Sequence, residues 1–138
     1  MKKMYFGLTV AFIAILYCVS VSFKSGENQG NNADQIVGVW KLISTDRGEF
    51  SGERIKIITK GHFIWTHTIN NVIVYSGGGS CTFDGETYTE NIEFGTQDMK
   101  SFFGKKAVIK VRFEGKTLYY TGLLAESIPL NEVWERVE

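Results

Sequence analysis

KAVIKVRF (Lys106–Phe113), EG (Glu114–Gly115) and KTLYYTGL (Lys116–Leu123) make up the stretch whose reading decides the fold. Apolar and polar residues alternate on both sides of Glu114-Gly115, the period-two pattern of strands with one buried face. Taken as a two-residue turn, Glu114-Gly115 pairs Val111 with Leu118, Ile109 with Tyr120 and Ala107 with Gly122. Both runs then agree on one apolar face and leave Lys110, Arg112, Thr117, Tyr119 and Thr121 for water. Two strands satisfied by one turn predict antiparallel pairing.

The same test extends upstream. With Asp84-Gly85 as a turn, Thr82 meets Thr87 and Cys81 meets Tyr88, placing Phe83, Cys81, Tyr88 and Ile92 on one face. Before it, RIKIIT (Arg54–Thr59) and HFIWTHTI (His62–Ile69) meet across Lys60-Gly61. A three-residue Thr59-Lys60-Gly61 loop with Gly61 at positive φ pairs Ile57 with Phe63 and Ile55 with Trp65, gathering the apolar residues on one side. Asn70-Asn71 turns the chain into Val72–Ser76, which leads into Gly77-Gly78-Gly79. The segment Gln97–Gly104 breaks the alternation and reads as a loop or a short helical turn, and Glu132–Val137 is the last strand.

No stretch from Ile36 onward keeps a helical period long enough to bury a face. The chain holds 15 Gly and 1 Pro, a balance that suits strands joined by tight turns. Eight or nine strands in about a hundred residues cannot lie flat without exposing edges and an apolar face. The expected fold class is therefore all-β: a single small antiparallel up-and-down β-barrel occupying residues 36–138.

Residues 1–22 are set apart. Lys2 and Lys3 precede an uncharged apolar run, Leu8–Val19, and Ser20-Val21-Ser22 offers a small-x-small cleavage site, so the segment predicts a signal peptide cut after Ser22 and an exported protein, periplasmic, secreted or on the outer surface. Retention of the run as a membrane anchor, or lipidation at Cys18, are the alternatives; Tyr17 opposes the second, because a small residue normally precedes a lipidated cysteine. Residues 23–35 are polar and aperiodic, a flexible linker. Without residues 1–22 the chain carries 13 basic and 15 acidic side chains, net −2, which points to neither nucleic acid nor an anionic surface as a partner. Cys81 is then the single cysteine, read as a small core residue.

The folded region opens on Gly38-Val39-Trp40-Lys41-Leu42 and closes on Trp134-Glu135-Arg136-Val137. This pair of ends resembles the calycin superfamily, in which lipocalins carry Gly-x-Trp on the first strand and fatty-acid-binding proteins an aromatic-x-charged pattern on the last. Gly61–Trp65 and Gly77–Glu90 look like the small lipocalin-like proteins exported by gut-type bacteria. The resemblance implies that Arg136 packs across Trp40 and closes the barrel base, a cation over an indole contributing on the order of 1 kcal/mol. The chain departs from larger lipocalins in being short and in lacking a long C-terminal helix and a disulfide, features that bear on cavity size.

Glu90 shares parity with Tyr88 and Ile92 and is expected inside the barrel, where it must meet a cation such as Arg136 or a polar group of a ligand. Phe63, Trp65, Tyr88, Tyr120 and Trp134 are candidate walls of a ligand cavity, with Glu90, His67 and Arg136 as polar anchors; the same aromatics also suit plain core filling. His62 and His67 face opposite sides of one strand and cannot chelate one metal, so no metal and no cofactor is expected. The sequence carries no catalytic motif; Glu90 with His67 or Tyr88 could still form an acid–base pair for a small isomerase or hydrolase. The expected function is non-enzymatic binding of a small hydrophobic or amphipathic molecule. The alternative is an interaction or inhibitor module with a solid barrel, presenting the loops Asp46–Gly52 and Gly95–Phe103.

Overall fold

A computed structural model describes residues 32–138. The segment read as a signal peptide, Cys18 within it, and most of the linker lie outside the described residues. Asn32–Asp34, read as linker, is a turn of 3-10 helix, and Asp34 pairs with Lys60 at 3.1 Å.

Eight strands follow: β1 (Gly38–Thr45), β2 (Glu53–Ile58), β3 (His62–Ile69), β4 (Val72–Phe83), β5 (Thr87–Gly95), β6 (Lys106–Glu114), β7 (Thr117–Leu124) and β8 (Ile128–Arg136). Each pairs antiparallel with the next, and β1 pairs with β8, so the sheet is a closed up-and-down barrel of the expected class. Closure satisfies the strand edges that a flat meander would leave open. One 3-10 segment, Gln97–Phe102, lies between β5 and β6, where the alternation breaks. Gly77-Gly78-Gly79 does not end a strand: β4 runs straight through it, which brings the count to eight.

The three hairpins differ from expectation in an instructive way. In β6–β7 the turn is Gly115-Lys116, so Val111 faces Tyr120, Ile109 faces Gly122 and Ala107 faces Leu124. Gly115 has φ 59° at the first central position, the place where a two-residue hairpin turn asks for a positive φ. In β4–β5 the register is also two residues away from expectation, with Phe83 opposite Tyr88 and Cys81 opposite Glu90. Here Asp84 Oδ1 accepts the Glu86 and Thr87 N–H groups at 2.9 and 2.7 Å and organises a longer loop. A slip of two leaves every side chain on its face.

The β2–β3 hairpin slips by one, and that reverses β2. Thr59 N–H donates to His62 O at 2.9 Å, which makes Lys60-Gly61 a two-residue turn and sets Ile58 opposite Phe63, Lys56 opposite Trp65 and Arg54 opposite His67. The expected pairing of Ile57 with Phe63 and Ile55 with Trp65 is thus corrected: Ile57 is 44% exposed on the outer wall, and Lys56, 5% exposed, points inward. Carboxylates on other strands supply the physical reason, as shown below.

One half of the interior is solid. Trp40, Ile58, Phe63, Cys81, Tyr88 and Leu118 are buried there, with Phe83 and Phe113 packed against them. Arg136 lies over the Trp40 ring at 4.2 Å and donates to Val37 O and Gln35 O at 2.8 and 2.5 Å, closing this end as the resemblance implied. Gly38 makes room for it, since a Cβ there would sit 2.3 Å from Arg136 Nη1.

The corrected β2–β3 turn makes Gly61 replaceable. Its φ is not positive and an added Cβ would meet nothing within 4 Å, so Gly61→Ala should leave stability unchanged or raise it by about 0.4–1 kcal/mol. Gly79→Ala should instead lower the urea midpoint, by about 1–3 kcal/mol in stability, because its Cβ would lie 1.9 Å from Asn91 O. A loss for Gly61→Ala as large as that for Gly79→Ala would restore the three-residue loop.

Candidate functional site

The other half of the barrel is hollow. A cavity of about 240 Å³ lies between the ends of β3, β5 and β7 and the starts of β2, β4, β6 and β8. Trp65, Ile92, Ala107, Ile109, Leu124 and Trp134 form its apolar wall, with Met99 and Phe102 of the 3-10 segment and Leu130 at the rim. The glycine run explains why the wall is smooth. The Trp65 indole lies against Gly77, where a Cβ would stand 3.1 Å from Nε1. Glycine inside a strand marks such close approaches as well as bulges and bends.

Charge is concentrated on the same lining. Lys56 Nζ binds Glu90 Oε1 at 2.6 Å, and both groups are buried. Three rings surround the ammonium: Tyr120 and Trp134 at 5.0 Å and Phe63 at 5.7 Å from centroid to nitrogen. Each ring presents a negative face to the cation, so the cage offsets part of the desolvation that burial imposes. Glu132 is the second inward carboxylate. It accepts Trp134 Nε1–H at 3.1 Å and stands 3.8 Å from Arg54 Nη1. Two acids on β5 and β8 therefore require two cations on β2, and the one-residue register delivers them.

Arg54 lies 5.2 Å above the Trp65 ring. Burial holds its pKa below the ordinary value, with Glu132 working against the shift and Arg47 adding to it. The buried hydroxyls of Tyr88 and Tyr120 have no hydrogen-bond partner among the described residues. Burial first, and then the charge of Glu90, raises both phenols far above their usual range, so they are neutral at any physiological pH. Burial likewise raises the Cys81 thiol and keeps it protonated.

The expected site residues divide into two sets. Trp65, Glu90 and Trp134 line the cavity. Phe63, Tyr88 and Tyr120 point inward as expected but belong to the packed layer beneath it. His67 is buried at the β3 end, its ring centroid 6.1 Å from those of Phe50 and Tyr75. Arg136 is corrected as a ligand anchor and as the partner of Glu90: it closes the opposite end, and Lys56 holds the acid. The residues missed from the sequence are Lys56, Arg54, Arg47 and Glu132. For Arg54 and Lys56 the available signal was even parity along Arg54-Ile55-Lys56-Ile57-Ile58, and two inward isoleucines outweighed it; for Glu132 it was shared parity with Trp134.

Neither a protein-family model nor a curated protein matches this chain. The site's chemistry therefore rests on its own geometry.

Substitution of one partner of the buried pair is the sharpest check on that geometry. Glu90→Gln should cost about 3–5 kcal/mol by urea unfolding, because it strands a buried ammonium. The double variant Lys56→Met, Glu90→Leu should recover most or all of that loss. His67 supplies a pH test: burial and then Arg54 lower its pKa from the usual 6.5. The unfolded chain takes up this proton before the native one does, so stability should fall as pH drops below about 6.5. His67→Phe should flatten the decline measured between about pH 7 and pH 5 relative to wild type.

Proposed function

We propose that this protein binds a small, largely apolar molecule in the open half of its barrel, without chemistry on it. The observation that carries the reading is the cavity itself: about 240 Å³, walled by Trp65, Ile109, Leu124 and Trp134 and floored by a completed ion pair. Ligand pockets join an apolar lining to a few fixed polar groups in this way. The volume lies below the roughly 300–1,000 Å³ of sites for drug-sized molecules, which favours a compact ring-bearing ligand over a long-chain lipid. Glu90 is engaged by Lys56 at 2.6 Å, and neither Tyr88 nor His67 lines the cavity beside it, which supports binding over acid–base chemistry on Glu90.

The eight-stranded up-and-down barrel and the Arg136–Trp40 closure are compatible with a lipocalin-like protein. With the charged start, apolar run and small-residue site of the first 22 residues, they support a calycin-type carrier or sensor exported from the cell.

Trp65 and Trp134 supply the readout. Titration with a neutral naphthalene-sized compound should change their fluorescence saturably. Ala107→Phe, which places a ring in the cavity from the wall of β6, should abolish that response while the far-ultraviolet dichroism of the barrel persists. A fluorescence change that survives in the Ala107→Phe protein would place the bound compound elsewhere and overturn the reading.

A further inference from the structure

The charges lining the cavity do not balance. Glu90 is engaged by Lys56 at 2.6 Å, and Glu132 shares its two oxygens between Trp134 Nε1 at 3.1 Å and Arg54 at 3.8 Å. Against these two carboxylates stand three cations, Lys56, Arg54 and Arg47. Among the described residues Arg54 donates no hydrogen bond, and its buried Nε has no acceptor. Arg47 uses one donor on Pro129 O at 3.0 Å. A guanidinium carries five N–H donors, so most of the hydrogen-bonding capacity of both groups is unspent.

Water can serve these donors while the cavity is empty. An apolar occupant displaces that water, and a guanidinium left facing hydrocarbon without an acceptor is costly. The Trp65 ring, 5.2 Å beneath Arg54, holds the fork in one orientation over the apolar wall. A planar fork matches a carboxylate through two parallel N–H···O bonds, which an ammonium cannot reproduce.

Resting on the reading of the cavity as a ligand site, we propose that its ligand is a compact amphipathic carboxylic acid, with the ring on Trp65, Leu124 and Trp134 and the carboxylate received by Arg54 with Arg47. One negative charge cancels the one in excess, whereas a dianionic phosphate monoester overshoots it. The acid sits apolar end inward, because Arg47, in the β1–β2 loop, belongs to the open end of the barrel.

Calorimetric titration of the full protein with naphthoate and with naphthylmethanol, which share a body and differ in the head group, tests this. Wild type should bind the acid about tenfold or more tighter than the alcohol, the scale of one charge-assisted hydrogen-bonded contact. Arg54→Gln should bring the ratio of acid to alcohol affinity down to about one, whatever the level at which the alcohol itself binds. Arg54→Lys, which keeps the charge without the fork, should fall between and serves if the Gln variant fails to fold. Equal binding of acid and alcohol by wild type overturns the carboxylate and leaves the cavity reading standing, as does a preference that Arg54→Gln, or Arg54→Lys where the Gln variant fails to fold, leaves undiminished. Binding of neither compound by wild type overturns the cavity reading and the carboxylate with it.

Discussion

A charge inside a barrel has to be answered inside the barrel, and the pairing of Lys56 with Glu90 is the constraint around which this interior is arranged. The two residues come from β2 and β5, three strands apart around the wall, so their contact spans the lumen and fixes its width at that level. Below it the side chains interdigitate to a solid plug of aromatic and branched residues. Above it the wall residues are Ala107, Gly77 and flat indole, too small or too thin to meet in the middle. The pair with its ring cage is thus the boundary between packed core and cavity. A buried ion pair adds little net stability, since desolvation cancels most of the attraction. What it does supply is a penalty against alternatives, because a β2 shifted by one residue would bury Ile55 and Ile57 and strand Glu90 and Glu132 without cations.

That competition explains how far the sequence could be read. The all-β class, the barrel closure and the inward faces of β3, β5, β6 and β7 follow from alternation, because on those strands apolarity and parity agree. Turn offsets were wrong by two in two hairpins, and nothing changed face. On β2 both parities were defensible: Ile55 and Ile57 argued for one, Arg54, Lys56 and Ile58 for the other. Local hydrophobicity favours the first, and only the acids on β5 and β8 favour the second. Their positions are tertiary information, absent from any window of eight residues. Trp65, Glu90 and Trp134 were legible in the sequence, while Lys56 and Arg54 were hidden by this one decision.

Arg136 shows the complementary case. Its role at the base is a matter of strand register near the ends of the chain, where Trp40 and Arg136 sit directly opposite each other. The aromatic-x-charged pattern was read correctly for closure and too generously for ligand contact, since one side chain cannot cover the base and reach the opposite mouth. The glycine run was under-read in the same way. A stretch without side chains looks like punctuation in a sequence, yet in β4 it is the flat surface on which Trp65 rests inside and Phe94 outside, with a bulge between Gly78 and Gly79 that turns Phe94 away from the lumen.

The seam between β1 and β8 also sets what it costs to close the wall. It joins Trp40 to Arg136, almost the two extremes of the described chain, whereas the hairpins need only neighbours in sequence. Loop closure over such a span carries a larger entropy cost than closing any of the hairpins. Until β8 is in place, β1 and β7 each keep an unpaired edge, so the last strand is the one that turns a ribbon of hairpins into a wall without edges.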